Sequence, residues 1–247
     1  MFSPISLTQL NATASFLDRI DTKYVVTEQK FIDMIADFKD DFFVLEIGGK
    51  SVFEYDSVYM DSEDYDFYIT HQKGAESRSK VRTRKYIDSD IVFFEYKQKK
   101  DRLLRKFRYQ MKLEDHGEMT GDAEKFFEEI HNKFYPLDPV KKLTPSLVTH
   151  CNRLTLCSKD SSERVTIDFN VSTTNLRGNN NSKTFQNAVI IESKATIEEC
   201  LSSKILKKHG VEASSGCSKY CLGLLYTGVF QNPGKFKDTM DQINAMS

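Results

Sequence analysis

The feature that most constrains the fold is a run in which charged side chains recur at every second position. Residues 79–99 read SKVRTRKYIDSDIVFFEYKQK. Side chains two positions apart on a β-strand point to the same face, so Arg82 and Arg84 would share one face of a first strand. Glu95 and Lys97 would likewise share one face of a second strand. The run therefore predicts a β-hairpin with one strongly charged face.

The same two-faced pattern recurs far along the chain. Between residues 163 and 172, Arg164 and Asp168 alternate with apolar residues, and between 185 and 194 Glu192 does the same. A sheet with one face in water produces such a pattern. A closed barrel whose charged faces line a wet interior produces it too. Because a solvent face usually mixes signs and these faces are biased to Arg and Lys, the pattern favours a barrel around a polyanion.

The overall charge narrows the class of function. The chain has 35 Lys and Arg against 36 Asp and Glu, a net charge of −1, which does not indicate a globally basic nucleic-acid binder. Between Arg78 and Arg108, however, there are twelve Lys and Arg but only four Asp and Glu. The rest of the chain has 23 Lys and Arg and 32 Asp and Glu. This concentration indicates a local site for an anion.

The cysteines and the chain start indicate the compartment. Five cysteines without CxxC spacing read as free thiols of a reducing compartment, and the scattered histidines indicate no His/Cys metal site. The start MFSPISLTQL lacks a basic segment followed by an apolar run, so we expect no signal peptide. No apolar run reaches the ~18 residues of a membrane span. We therefore predict a cytoplasmic protein.

Hydrophobic periodicity predicts the following elements. Helices are expected at 7–17, 28–39, 121–134, 197–208 and 219–230. Strands are expected at 23–27, 42–47, 51–60, 78–87, 91–100, 102–113, 147–157, 163–172 and 185–193. The second and third strands would form a hairpin around Gly48 and Gly49, residues 64–71 would form a connection, and the polar tail after about residue 233 would pack loosely.

These elements predict an α+β fold: an antiparallel β-barrel of about eight strands with flanking helices. We expect one domain over residues 1–247. Neither GxGxxG nor GxxxxGK[ST] occurs, so any phosphate chemistry must rely on side chains.

Several short motifs resemble a known family, the catalytic domain of the vacuolar transporter chaperone (VTC) polyphosphate polymerases. That family lies within the triphosphate tunnel metalloenzyme, or CYTH-like, superfamily. The order and strand placement of the motifs carry the resemblance together. They are RIDTKY at 19–24, KVRTR at 80–84, FEYK at 94–97, RKFR at 105–108, Arg153, Arg164 leading to TID at 166–168, IESK at 191–194 and SKY at 218–220.

The resemblance implies a basic tunnel in which the terminal phosphate of a metal-bound nucleoside triphosphate passes to a growing polyphosphate chain. It implies that catalytic phosphate contacts come from Arg82, Arg84, Lys97, Arg153 and Arg164. Substrate-binding contacts would come from Lys23, Ser218, Lys219 and either Arg105 or Lys106. Glu192 would hold a divalent metal, Mn²⁺ or Mg²⁺. Independently of the resemblance, strand spacing predicts that Glu95 either orients Lys97 as a phosphate ligand, which we favour, or forms a structural ion pair with it. Asp168 would orient an arginine or, alternatively, bind metal.

Departures from the family pattern bear on function. Hydrolase and cyclase relatives begin with alternating glutamates, whereas Arg19, Asp21 and Lys23 here side with the polymerases. Eukaryotic relatives carry an inositol-phosphate-sensing domain and membrane spans. Neither is visible here, so we expect no such regulation and no coupled export into an organelle. The partners expected are ATP and polyphosphate, while a partner protein in a membrane and the oligomeric state stay open.

Three alternatives remain beside the polymerase. One is a hydrolase of tripolyphosphate or nucleoside triphosphates with the same tunnel fold. Another is a non-catalytic polyphosphate-binding module, which would need no metal carboxylate. The third is an RNA-binding barrel, which would place aromatic and basic side chains on one face. Because Phe94 and Tyr96 oppose Lys97, no nucleic-acid partner is expected.

Overall fold

The computed structural model describes residues 2–13, 20–100, 103–178 and 180–246. The helices in these ranges are α1 Leu7–Thr13, α2 Glu28–Lys39, α3 Asp66–Gln72, α4 Gly121–Phe134, α5 Leu201–Lys208, α6 Lys219–Tyr226 and α7 Lys237–Asn244. The strands are β1 Ser3–Ile5, β2 Ile20–Thr27, β3 Phe42–Leu45, β4 Val52–Asp61, β5 Arg78–Tyr86, β6 Ile91–Lys100, β7 Leu103–Met111, β8 Thr144–Ser158, β9 Glu163–Asn175, β10 Ser182–Thr184 and β11 Ala188–Ala195. Residues 14–17 of the predicted first helix, and Arg19, lie outside the described ranges.

Eight strands form one continuous antiparallel path in the order β2-β11-β9-β8-β4-β5-β6-β7. The sheet curls, so that Lys23 from β2 and Lys106 from β7, the two ends of the path, line one cavity. No ladder joins β2 to β7 within the described ranges, and the sheet is therefore a half-barrel with an open seam. The predicted α+β fold, an antiparallel β-barrel of about eight strands with flanking helices, is confirmed in the form of this curled half-barrel.

The outer face of the half-barrel is apolar and covered by helices. On β6, Phe94 and Tyr96 are fully buried, and the Tyr96 ring lies 5.2 Å from that of Phe127 on α4. Helix α4 begins at Gly121 because the Thr120 side chain caps it by accepting a hydrogen bond from the Ala123 amide. The predicted opposition of apolar and charged faces on β6 is confirmed. Burial of the apolar face under helices directs the charged face inward.

The predicted hairpin around Gly48 and Gly49 is wrong. Both β3 and β4 pair antiparallel with β8, one after the other, so they run in the same direction. The two glycines adopt positive φ angles of 60° and 78° in a turn closed by a bridge between Ile47 and Lys50. After β3 the chain leaves the sheet at this turn and returns as β4, which pairs with the next part of the same strand β8. This is possible because β8, at 15 residues, is long enough to pair with both strands.

Two further segments are more ordered than the sequence predicts. Residues 64–71, expected as a connection, include most of α3, whose first amides donate to the buried Asp61 carboxylate. The tail after residue 233, expected to pack loosely, forms a helical turn at Gly234–Phe236 and then α7. Phe236 and Ile243 are buried there, at 0% and 2% exposure, so apolar packing holds the tail in place.

In the described part of the chain, every helix is too short or too polar to cross a membrane.

Candidate active site

The inner face of the half-barrel encloses a cavity of about 690 Å³. Eleven Lys and Arg line it, against four Asp and Glu. The basic residues are Lys23, Lys80, Arg82, Arg84, Lys97, Lys106, Arg108, Arg153, Arg164, Lys194 and Lys219, and the acidic residues are Glu54, Asp88, Glu95 and Glu192. A concave surface with this excess of one sign concentrates ions of the opposite sign.

Ten of the eleven predicted site residues line this cavity. The exception is Arg105, whose guanidinium carbon lies 5.0 Å from the ring centre of Phe134, at the end of α4 on the outer face. Its neighbour Lys106 points inward. Strand alternation therefore separates the two alternatives, and of the pair only Lys106 lies where it could contact a ligand in the cavity.

Glu95 lies fully buried beneath the basic lining and binds two cations. Its carboxylate accepts from Arg82 Nε at 2.7 Å and Arg82 Nη2 at 2.5 Å, and it forms an ion pair with Lys106. Burial raises the pKa of this carboxyl, but Arg82, Arg84 and Lys106 outweigh burial and hold the pKa well below its usual range. The expectation that Glu95 orients Lys97 is wrong, because Arg82 lies directly opposite Glu95 in the ladder.

Asp168, like Glu95, is a buried carboxylate that binds two cations, on the other side of the cavity. It is 1% exposed and accepts from Arg153 Nε at 2.5 Å and Arg153 Nη2 at 2.7 Å. Lys219 forms an ion pair with the same carboxylate. Burial raises the pKa of Asp168, but these two cations outweigh it and bring the pKa well below its usual range. Asp168 thus fixes an arginine, in agreement with the prediction.

Glu192 is the carboxylate that faces several lysines at once. Lys194 Nζ lies 2.5 Å and Lys23 Nζ lies 3.7 Å from its oxygens. Burial opposes ionisation of Glu192, but Lys194, Lys23 and Lys97 hold its pKa well below the usual range. Burial also lowers the pKa of Lys23, but Glu192, together with the weaker contributions of Cys217, Tyr59 and Asp21, outweighs burial and the net pKa is raised.

Two lysines in the cavity form no ion pair with a carboxylate in the described ranges. Lys80 Nζ donates to Ser218 Oγ at 2.9 Å, and Lys97 has no hydrogen bond or ion pair in the described ranges. Burial, together with the charges of Lys23 and Arg78, lowers the pKa of Lys80 to about 7. Burial also lowers the pKa of Lys97 well below its usual value. A bound anion would favour the charged form of both side chains.

The start of α6 brings two predicted residues into the cavity. Ser218 caps the helix by accepting from the Cys221 amide, and Lys219 follows it. Tyr220 points the other way, where its hydroxyl donates to Asp61 at 2.5 Å and its ring stacks on Tyr59 at 4.9 Å. These buried contacts fix the helix start relative to the sheet.

Sequence reasoning assigned no role to some residues that line the cavity. Lys80, Arg108 and Lys194 belong to the motifs quoted above and lie two positions from assigned residues, so strand alternation alone could have found them. Tyr59 was not singled out. Its hydroxyl accepts a hydrogen bond from Arg82 at 3.1 Å. It lies among aromatic residues at alternate positions of β4, and that pattern was its only signal.

The carboxylates limit what metal the cavity could hold. No group of three or more His, Cys, Asp or Glu side chains in the described ranges is arranged to hold an ion. Glu95 and Asp168 are each engaged by two cations. Glu192 fits a single oxygen ligand, with the remaining ligands coming from phosphate oxygens and water, an arrangement common for Mg²⁺.

Comparison with known proteins bears on this site. The VTC domain family model matches residues 18–227. No curated protein sequence matches the chain. A candidate adenylate cyclase from Bacillus halodurans superposes with a TM-score of 0.51 at 16% identity, over 82% of this chain and 95% of that one. A candidate adenylyl cyclase from Hippeastrum with a dominant triphosphatase activity gives 0.52 at 14% identity, over 85% and 96%. At such low sequence identity, the similarity to these two structures shows a shared fold and nothing about activity.

Proposed function

Because the chain belongs to the VTC domain family, we propose that it is an ATP-dependent polyphosphate polymerase. It would transfer the terminal phosphate of a metal-bound nucleoside triphosphate to the end of a polyphosphate chain. The observation that carries the proposal is the cavity itself, in which eleven Lys and Arg converge and the buried carboxylates Glu95 and Asp168 already bind cations. ATP and polyphosphate are the partners proposed, and the cytoplasm is the proposed compartment.

The two arginine–carboxylate pairs suit phosphoryl transfer. Glu95 holds Arg82, and Asp168 holds Arg153, each through two hydrogen bonds. A guanidinium held in place presents its remaining N–H groups to phosphate without reorganising during the reaction. Positioning and charge stabilisation supply most of the catalysis in phosphoryl transfer, and no protein nucleophile is required.

The proposed cofactor is a divalent ion, Mn²⁺ or Mg²⁺, held by Glu192 together with substrate oxygens. Such an ion neutralises charge on the phosphates during transfer. Lys23 and Lys194 flank Glu192 and would contact the same phosphates. Glu192 would thereby place the terminal phosphates among side chains from β2, β6 and β11.

The state of the carboxylates favours a phosphate acceptor over water. A hydrolase places and activates water with a general base, commonly a carboxylate, whose pKa lies near the working pH. At this site Glu95, Glu192 and, behind the lining, Asp168 all have pKa values below the usual range and are bound to cations. An anionic chain end needs no such base, and the basic wall would offset its repulsion from ATP.

The deciding experiment incubates purified protein with ATP, Mn²⁺ or Mg²⁺ and a short polyphosphate primer. Gel electrophoresis of the chains and an assay of free phosphate are read together. We expect chains longer than the primer and stoichiometric ADP. Release of free phosphate without chain extension would instead identify a tunnel triphosphatase, and binding without turnover would identify a binding module.

Replacing Glu192 with Gln tests the metal proposal. We expect turnover to be lost while nucleotide affinity, measured by calorimetry, is kept or slightly increased, because the variant removes one negative charge from the cavity. A matched control is Glu124→Gln on the exposed face of α4, which removes the same charge far from the cavity. Turnover at the wild-type rate under saturating Mg²⁺ would make Glu192 a structural residue.

A further inference from the structure

Like charges face each other at one end of the β5–β6 hairpin. In the ladder, Lys80 pairs with Lys97, and two positions outward Arg78 pairs with Lys99. Strand alternation places both pairs on the cavity face. Like charges directly opposite one another on neighbouring strands destabilise a sheet. The next pair inward joins opposite charges, so the repulsion is confined to this end of the hairpin.

A third cation joins the outer pair from a distant part of the chain. Lys235, in the turn before α7, rests on the Phe236 ring with its ammonium 5.5 Å from the ring centre. Burial, with the neighbouring charges of Arg78 and Lys99, lowers the pKa of Lys235. We call Arg78, Lys99 and Lys235 the mouth patch. None of the three forms an ion pair in the part of the chain that the structure describes.

The mouth patch continues the basic lining of the cavity. Lys80 and Lys97 belong to the lining, and Arg78 and Lys99 follow at the next position of the same face, about 7 Å further along the strands. His71 lies nearby with its Nδ1 3.4 Å from the sulfur of Cys221. Burial and the nearby Lys80 and Arg78 charges lower its pKa, which keeps the imidazole neutral. The basic surface thus runs from the cavity interior to its rim.

We propose that the mouth patch binds a stretch of linear polyphosphate outside the cavity, beyond the phosphates that the cavity itself holds. This inference rests on the proposed function. A ligand with alternating bridging and charged oxygens would relieve the repulsion of both cross-strand pairs at once. A triphosphate held by the cavity lining would not reach the patch, because Arg78, Lys99 and Lys235 do not belong to that lining. The patch would therefore distinguish long chains from short ones.

The occupant favoured is polyphosphate and not a nucleic acid. Proteins that bind single strands without sequence preference combine basic residues with exposed aromatic rings on which bases stack. The aromatic ring at the patch, that of Phe236, is buried at 0% exposure and covered by Lys235. The patch therefore offers charge without a stacking platform.

The test compares two ligands and two triple variants by calorimetry. The ligands are tripolyphosphate and a polyphosphate several times longer. One variant carries Arg78→Ala, Lys99→Ala and Lys235→Ala. The control variant removes the same charge at exposed positions outside the cavity lining, with Lys112→Ala, Lys125→Ala and Lys183→Ala.

For the mouth-patch variant we expect the affinity for the long chain to fall about ten- to a hundredfold at low salt, as for three exposed ionic contacts. Tripolyphosphate affinity should change less than about threefold, and the control variant should behave as wild type for both ligands. In the wild-type protein, affinity should fall more steeply with salt for the long chain than for tripolyphosphate. The variant should lose that difference, because the steepness reports the number of ionic contacts.

The outcomes separate the two proposals. Absence of tripolyphosphate binding to the wild-type protein would remove the proposed function, whatever the patch does. Normal tripolyphosphate binding with unchanged long-chain affinity in the mouth-patch variant would overturn only the patch. An equal loss of affinity for both ligands would also overturn the patch proposal, since it would show that the variant only changes the overall electrostatic potential of the cavity. A single-stranded RNA that binds the patch as tightly as polyphosphate would overturn the choice of occupant.

Discussion

Replacing Lys80 with Met should remove much of the pH dependence of tripolyphosphate binding. The Lys80 ammonium lies in the cavity, where it donates a hydrogen bond to Ser218 Oγ at 2.9 Å. Burial and neighbouring cations lower its pKa to about 7. The charged form therefore predominates below that pH, and the neutral form predominates above it. Because a polyanion binds the charged form better, affinity should be highest at low pH.

The magnitude follows from this pKa. If the ligand binds only the charged form, the apparent dissociation constant scales with the inverse of the protonated fraction. With a pKa of about 7 for Lys80, affinity should fall about tenfold between about pH 6 and about pH 8. Above this range Lys106, whose pKa burial lowers to about 8, should add a further decrease.

The stability of the unliganded protein should increase with pH, opposite to the ligand affinity. Between the folded pKa of about 7 and the ordinary value of 10.5, the unfolded chain keeps the Lys80 proton and the folded chain releases it. Stability rises with pH wherever the unfolded state binds more protons. Lys80 therefore makes the unliganded protein more stable as pH rises through this interval, and Lys80→Met should flatten that rise.

Calorimetry at several pH values, in two buffers of different ionisation enthalpy, measures both affinity and proton uptake. Titration of the ligand itself is common to both proteins, so the difference between wild type and Lys80→Met isolates the lysine. We expect uptake of part of a proton by the wild-type complex near pH 8, and less by the variant. Identical slopes and identical proton uptake would refute the assignment of this pH dependence to Lys80.

Two further predictions concern the carboxylate pairs and the two faces of β7. Asp168→Asn should lower the free energy of unfolding by about 3–5 kcal/mol in urea, because Arg153 and Lys219 then lack their partner. Tripolyphosphate should restore part of the loss, and an unchanged unfolding midpoint would contradict the pairing. Lys106→Ala should weaken tripolyphosphate binding by about 1.5–3 kcal/mol, whereas Arg105→Ala should leave it nearly unchanged. Equal effects in calorimetry would contradict the opposite facing of these residues.

Local sequence determined most of the secondary structure and the sorting of side chains between the two faces of the sheet. Helices at 28–39 and 121–134 have the predicted bounds, and β6 buries Phe94 and Tyr96 outward as its alternation requires. The reason is that helix and strand periods are properties of neighbouring residues. The same alternation indicated which lysines and arginines would share an enclosed face.

Tertiary structure alone decided which side chains became partners. Glu95 pairs with Arg82, although Lys97 lies closer in sequence. The turn at Gly48 returns the chain to β8, although local signals indicated a hairpin. Lys235 joins the cavity mouth from more than a hundred residues away. Ladder register and sheet curvature set these distances, and both depend on long-range packing that a single sequence does not display.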